Sequence, residues 1–301
     1  MSVGTDARGA RTERAHAKIN LLLRILAREA SGYHGIETLF QRLALHDLVQ
    51  LSLTDGPRTL HCHGPAMPAA GLGAPEQNLA WRAAVAYTQA AAWQTGWAID
   101  IEKHIPVGGG LGGGSADAAA VLRALESLCP TPLGQAALLE IAGTLGADVP
   151  FLVSSASLAW AWGRGDRLLP LPALPPMAVT LVAFREGVNT GQAYGAFAAA
   201  RAAAGGSVRA AQYPLHAFSS WTTIAALAAN DFEPVVCTMH AGVRDVLPVL
   251  CAQAEALRRQ RSPAIALMSG SGATCFVLHS PDSRVVPEVP DGAWVVETLT
   301  T

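Results

Sequence analysis

A protein of mixed α and β structure, α+β or α/β, is predicted by three features of the sequence. Strand-like and helix-like apolar patterns occur in both halves of the chain. Its 301 residues fit one large domain or two of ordinary size. A proline-rich stretch, Pro170-Leu-Pro-Ala-Leu-Pro-Pro176, breaks the pattern past the midpoint. Proline suits neither a helix interior nor a central strand, so this stretch marks a loop near a domain boundary.

Taken in order, His16 to Leu26 is ambiguous: its leucines favour a helix, its place before the turn at Ser31-Gly32 allows a strand. Ala98 to Ile105 predicts a strand, with Ile99 and Ile101 on one face. Ser115 to Leu128 predicts a helix through the spacing of Ala119, Leu122, Leu125 and Leu128, and Pro130 and Pro132 stop it. Leu133 to Leu145 predicts a second helix, ended by Gly146. Met177 to Phe184 predicts a strand. An alanine-rich helix precedes the loop Gly205-Gly206-Ser207. Val243 to Arg259 is mostly helical despite Pro248, and Ile265 to Met268, Thr274 to His279 and Trp294 to Thr298 predict short strands.

Composition narrows the class. Half of the residues are apolar and 15% are charged, yet no apolar run is long enough for a membrane span. The first fourteen residues hold Asp6, Arg8, Arg11, Glu13 and Arg14, and predict a frayed tail rather than a signal peptide. A net charge of −2 argues against a nucleic-acid partner. The five cysteines are widely spaced, without metal or redox spacing, which predicts reduced, mostly buried thiols and a cytoplasmic location.

The strongest local signal is Pro106-Val-Gly-Gly-Gly-Leu-Gly-Gly-Gly-Ser-Ala-Asp117. Gly108, Gly109, Gly110, Gly112, Gly113 and Gly114 leave the backbone bare around Leu111, so consecutive N–H groups can converge on an anion. A helix then begins at Ser115 or Asp117, and its N-terminus carries partial positive charge. The pattern predicts a phosphate cradle completed by the hydroxyl of Ser115. It is not a Walker A loop, since no Gly-Lys-Ser/Thr follows, and it is not a clean dinucleotide fingerprint.

That stretch resembles the phosphate loop of the GHMP kinases, the superfamily of galactokinase, homoserine kinase, mevalonate kinase and phosphomevalonate kinase. Further blocks follow in family order: Ala17-Lys18-Ile-Asn20-Leu, Ser31-Gly-Tyr33-His34, Leu145-Gly-Ala-Asp148-Val-Pro-Phe, Asn230-Asp-Phe-Glu233 and Ser269-Gly-Ser-Gly-Ala-Thr274. Any one could arise by chance, but six in order resemble one branch in particular, which phosphorylates a cytidine diphosphate ester of methylerythritol in non-mevalonate isoprenoid precursor biosynthesis. The resemblance implies an α+β fold of two domains. Residues 1–156 would form a ribosomal-protein-like β/α domain and 157–301 a ferredoxin-like α/β sandwich, with the active site in the cleft.

The resemblance also implies roles. ATP, with Mg²⁺, would lie on Pro106, the glycine loop and Ser115, with Lys103 and Asn78 at the adenosine end. Asp148 would be the base, and Lys18 would neutralise charge on the transferring group. Asn20 and Asp148 would orient the acceptor, Tyr33 would stack on the cytosine, His34 would read its edge, and Thr190 would touch the substrate. No carboxylate stands out as an Mg²⁺ ligand. The sequence departs from the family at Ser31, where Asp is usual, at Ala116, where a second Ser is common, and at Arg185-Glu186, where a Pro is often found.

Two features stay outside this frame. His61-Cys62-His63 puts two imidazoles on one face of a strand, but no third ligand is near in sequence. Seven scattered tryptophans predict core or surface plugs rather than a stacking platform.

Overall fold

The structure is a computed structural model and describes residues 3–6, 9–28, 34–206 and 211–301. Contacts between Cα atoms group the chain into two compact units, each drawn from several stretches. The first comprises Met1–Ala17, Leu45–Val107 and Gly112–Ser155, the second Lys18–Ala44, Gly108–Leu111 and Ala156–Thr301.

The first unit begins with β1 (Val3–Asp6), antiparallel to the start of β2 (Ala10–Arg28). The expectation of a frayed N-terminal tail is therefore corrected. Glu13 on β2 accepts hydrogen bonds from Arg11 Nε at 3.1 Å and Arg123 Nε at 3.2 Å, so the charges read as a solvated tail brace the strand. Arg8 lies outside the described residues. The last part of β3 (His34–Thr54) pairs antiparallel with β5 (Gly96–Glu102), and β4 (Thr59–His63) pairs parallel with β5 at the end of the strand order.

Helices α1 (Leu79–Ala90), α2 (Gly113–Leu128), α3 (Gln135–Leu145) and α4 (Val149–Val153) complete this unit. Ala80, Ala83 and Ala84 on α1 and Ala116, Ala119 and Ala120 on α2 are fully buried or nearly so, and such small side chains let the two helices pack closely. Glu126 ends α2 with a tie to the next segment: its carboxylate accepts from Tyr87 Oη at 2.6 Å, Leu133 N at 3.0 Å and Gly134 N at 2.7 Å.

In the second unit β3 pairs through Ile36–Gln41 with β6 (Leu158–Gly163), which pairs with β7 (Arg167–Leu171). Pro170 sits in β7, at the edge, where a missing N–H costs no ladder bond. The proline-rich loop therefore starts two residues later than the sequence pattern suggests. The ambiguous segment from His16 to Leu26 is strand throughout. Its leucines favour a helix only weakly, and Leu22 and Leu23 pair in parallel with β9 (Ala229–Asn230), which settles the matter in favour of the sheet.

A second sheet has the order β10 (Ala264–Met268), β11 (Cys275–His279), β8 (Ala178–Phe184), β12 (Ala293–Leu299), antiparallel throughout. Helices α5 (Thr190–Ala203), α6 (Trp221–Leu227), α7 (Glu233–Met239) and α8 (Ala241–Arg259) belong to the same unit. Val243, Val246, Leu247 and Leu250 of α8 share a core with Val182, Cys275 and Val277. Each such side chain contributes about 1.5–3 kcal/mol on burial. Pro248 lies within α8 without ending it. Cys129 and Cys275 are buried as expected, whereas Cys62 and Cys237 are half-buried and Cys251 is exposed on α8, a correction to the expectation that most of the thiols are buried.

Candidate active site

The glycine-rich segment is divided between the units, Gly108–Leu111 in the second and Gly112 onward in the first. In the second unit, Gly108 and Gly110 adopt φ of 74° and 77°, the left-handed region that glycine tolerates. A side chain at Gly110 would place Cβ 2.1 Å from the carbonyl oxygen of Ser269, and one at Gly187 would come 2.7 Å from the carbonyl of Gly108. Glycine is required here by close backbone approach. Ser269 Oγ donates to the Gly110 carbonyl at 2.9 Å, and Thr274 N donates to the Gly109 carbonyl at 3.1 Å.

Lys18 joins this arrangement. It is 3% exposed, and its ammonium donates to the Gly110 carbonyl at 3.0 Å and to Asn20 Oδ1 at 2.8 Å. The Phe40 ring centre lies 5.5 Å from Nζ, and Lys18 N donates to the Leu111 carbonyl at 3.0 Å. Asn20 Nδ2 donates to Thr38 Oγ1 at 2.7 Å, and Thr38 donates onward to the Leu22 carbonyl at 2.7 Å. The chain fixes the amide of Asn20 with its oxygen toward the lysine. A lysine at such a position is not a snorkelling surface residue. It is a buried cation built into the loop.

The turn after β10 is secured by Asn230, whose Nδ2 donates to the carbonyls of Met268 at 2.6 Å and Gly270 at 2.8 Å. Glu233 accepts from Met268 N at 2.9 Å. Burial pushes the Glu233 carboxyl up to about 7, only partly offset by that N–H. Thr190, exposed at the start of α5, shares a 2.9 Å hydrogen bond with Ser271. His34 stacks on Tyr194, with centroids 5.2 Å apart and planes 16° apart, and Tyr194 meets Phe232 edge-on at 4.8 Å. Tyr33, with Ser31 and Gly32, lies outside the described residues.

In the first unit, Gly112 at φ 73° caps α2, whose first turn begins with Gly113 and Gly114 and leaves amides without intrahelical partners, as every helix start does. Gly114 is exposed and Ser115 half-buried. A Cβ at Gly146 would sit 4.0 Å from Ser115 Oγ, which brings that hydroxyl close to the turn that carries Asp148. Asp148 occupies the N-cap position of α4, but its carboxylate makes no capping bond. Asn78 caps α1 by accepting from Ala80 N at 2.9 Å. Pro106 is buried beside Ile105.

Lys103, expected at the adenosine end, is 2% exposed and held between two carboxylates. Its amine donates to Asp47 and, at 2.6 Å, to Asp117. Asp47 Oδ1 also accepts from His104 N at 2.5 Å and Ile105 N at 2.7 Å, so it pins the backbone just before the loop. Burial raises the Asp117 carboxyl to about 7, with the Asp47 charge adding to the rise and Lys103 opposing it. The same two acids raise Lys103, although burial alone would lower it. Two carboxylates facing one ammonium leave an excess negative charge, which favours a protonated Asp117. Oδ1 of Asp117 is buried without a hydrogen-bond partner.

Sequence reasoning did not assign Asp47, Thr38 or Tyr194. Asp117, Asn230 and Ser269 stood inside the motifs but carried no role. Nothing local distinguishes Asp47, which acts through a residue 56 positions away.

The buried lysine on the glycine run in one unit and the glycine-led helix start in the other, each taken by itself, are features of a small-molecule kinase of the GHMP type, and the chain's relatives show that class. Residues 78–157 match the family described as GHMP kinases N terminal domain. A 4-diphosphocytidyl-2-C-methyl-D-erythritol kinase of Desulfitobacterium hafniense is 37% identical over 87% of this chain and 84% of its own length. Another, from Rhizorhabdus wittichii, is 38% identical over 90% and 86%. A crystal structure of 4-(cytidine 5'-diphospho)-2C-methyl-D-erythritol kinase superposes with a TM-score of 0.65 at 31% identity, covering 96% of this chain and 99% of that one. The mevalonate kinase of L. major reaches the same TM-score at 12% identity, which speaks for the fold alone. The chain belongs to the 4-diphosphocytidyl-2-C-methyl-D-erythritol kinase family.

Proposed function

We propose that the protein transfers the γ-phosphoryl group of ATP to the 2-hydroxyl of 4-diphosphocytidyl-2-C-methyl-D-erythritol. The observation that carries this reading is the buried Lys18 ammonium on the Gly110 carbonyl, in a chain of that kinase family. A cation buried in a bare glycine loop suits a transferring phosphoryl group, because charge neutralisation and positioning supply most of the rate in such reactions.

The proposed step runs as follows. The Asp148 carboxylate takes the proton of the acceptor hydroxyl. The hydroxyl oxygen bonds to the γ-phosphorus, the bond to the β-phosphate bridging oxygen breaks, and ADP leaves with that electron pair. Lys18 offsets the charge on the transferring group. The first-turn amides of α2 and the hydroxyl of Ser115 hold the remaining phosphate oxygens. Ser115 and Asp148 offer hard oxygen donors, which fits Mg²⁺, and the ion would supply further neutralisation of phosphate charge.

Asn20 orients the acceptor alcohol through the amide fixed by Thr38. His34, seated on Tyr194, reads the cytosine edge, and Tyr33 and Thr190 complete the acceptor site. Asn78 serves the adenosine end, and Lys103 acts there by fixing the backbone with Asp47 and Asp117. The same reading puts the enzyme in the cytoplasm, where free thiols are kept reduced.

The test is ADP release from Mg-ATP with the cytidylyl substrate, homoserine and mevalonate offered side by side. Turnover restricted to the cytidylyl ester and lost in Asp148→Asn is expected. Turnover of another alcohol would sink the roles given to His34 and Tyr33.

A further inference from the structure

Among the described residues, β4 lies at the end of the strand order and pairs with β5 alone. Its residues His61 and His63 alternate with Cys62, so both imidazoles project from one face. Cys62 projects from the other, where Asn78 Nδ2 stands 3.9 Å from its sulfur. The parallel register sets His61 opposite Asp100 and His63 opposite Glu102. Asp100 Oδ2 lies 2.9 Å from His61 Nδ1, and its Oδ1 lies 2.8 Å from His63 Nε2. The imidazoles stack on each other, 5.4 Å between centroids and 26° between planes.

The pairing supplies the third ligand that the sequence did not show. The three donor atoms fall within 4.8 Å of one another. In a tetrahedral site with bonds of about 2.1 Å, ligand atoms stand about 3.4 Å apart, so small rotations about χ angles suffice to close the set. The side chains of His61, His63 and Asp100 are 71%, 45% and 48% exposed, which leaves room for a water ligand and a path for the ion. Glu102, on the same strand as Asp100, lies 3.1 Å from His104 Nε2 just past the end of β5 and adds negative charge nearby.

We propose that His61, His63 and Asp100 bind one divalent transition-metal ion of borderline softness, with Zn²⁺ as the representative. Two imidazoles and a single carboxylate select such an ion over Mg²⁺ or Ca²⁺, which require oxygen-rich shells. The ion clips the edge strand β4 to β5. The Lys103 amide donates to the His63 carbonyl at 2.7 Å, so the clip lies directly before the segment that leads to the glycine loop.

The experiment uses the full-length protein, stripped with chelator and titrated calorimetrically with Zn²⁺ in buffer free of nucleotide and Mg²⁺. One equivalent per chain is expected. His63→Gln and Asp100→Asn should each weaken binding by about tenfold or more. Zn²⁺ should raise the melting temperature of the wild type and leave the His61→Gln/His63→Gln double variant unmoved. Co²⁺ substitution should give a tetrahedral spectrum without thiolate charge transfer. Circular dichroism and kinase turnover with Mg-ATP in the absence of Zn²⁺ check that the double variant is folded. Absence of binding below millimolar Zn²⁺ would overturn the proposal. So would stoichiometric binding that survives in the folded double variant, since the ion would then sit elsewhere.

Discussion

The Lys18 ammonium lies 3.0 Å from the carbonyl oxygen of Gly110, and Ser269 Oγ donates to the same oxygen at 2.9 Å. One carbonyl therefore ties together the N-terminal lysine motif, the glycine loop and the C-terminal Ser-Gly-Ser-Gly turn. Lys18→Met should lower kcat by about 100-fold or more while moving the KM for ATP little, since the charge matters most as phosphoryl transfer proceeds. Steady-state ADP release checks this. An equal loss in KM would show that Lys18 merely binds nucleotide.

Gly110→Ala should fail at the level of the fold around the loop. Its Cβ would meet the Ser269 carbonyl at 2.1 Å, and its φ of 77° is unfavourable for alanine. The expected outcome is a lower melting temperature with no measurable ATP binding. Gly143→Ala, with open space around its Cβ, should leave both unchanged and serves as the control.

Asn230→Ala removes three hydrogen bonds: the two its Nδ2 donates to the carbonyls of Met268 and Gly270, and the one its Oδ1 accepts from Phe232 N. A loss of about 2–4 kcal/mol is expected in urea unfolding, given roughly 1–3 kcal/mol for each buried group left unsatisfied. Turnover should fall too, because the loosened turn carries the Ser269 contact to Gly110.

Asp117 and Glu233 both hold carboxyls raised to about 7. Between the unfolded carboxylate range and about 7 the native state binds more protons than the unfolded chain. The stability they contribute is complete below the unfolded pKa and is lost as pH rises through about 7, with a slope of at most about 1.4 kcal/mol per pH unit per group. Asp117→Asn should flatten its share of this slope and keep the Lys103 contact. Denaturation measured from pH 4.5 to pH 8 decides it, and an unchanged slope would place the proton elsewhere.

Tyr194→Leu should raise the KM for the cytidylyl substrate several-fold and leave that for ATP unchanged, because Tyr194 supports His34 through a flat stack. A change confined to ATP would remove His34 from the acceptor site.

Much of this was legible from residue order alone. The apolar spacing of Ala119, Leu122 and Leu125 marks α2, and Pro130 and Gly146 bound the helices that follow. Local spacing failed between His16 and Leu26, where leucine propensity could not reveal a strand set by pairing with Ala229 and Asn230. It failed again for the N-terminal charges, since Glu13 reads as solvated until Arg123 is brought to it. The Lys103–Asp47 contact was not legible either, because nothing in sequence announces Asp47 as the partner of Lys103.

The sequence by itself determined the kinase class, because the glycine run before a helix and its companion motifs stand in a recognisable order, and it singled out Lys18 and Asp148 as the residues to test. Tertiary structure alone decided that Asp47 and Asp117 enclose Lys103, that Tyr194 carries His34, and that Asp100 completes the pair His61 and His63. Periodicity reports which face of an element a residue occupies. Which neighbour that face meets depends on strand register and helix docking, and these are set by burial of the whole core.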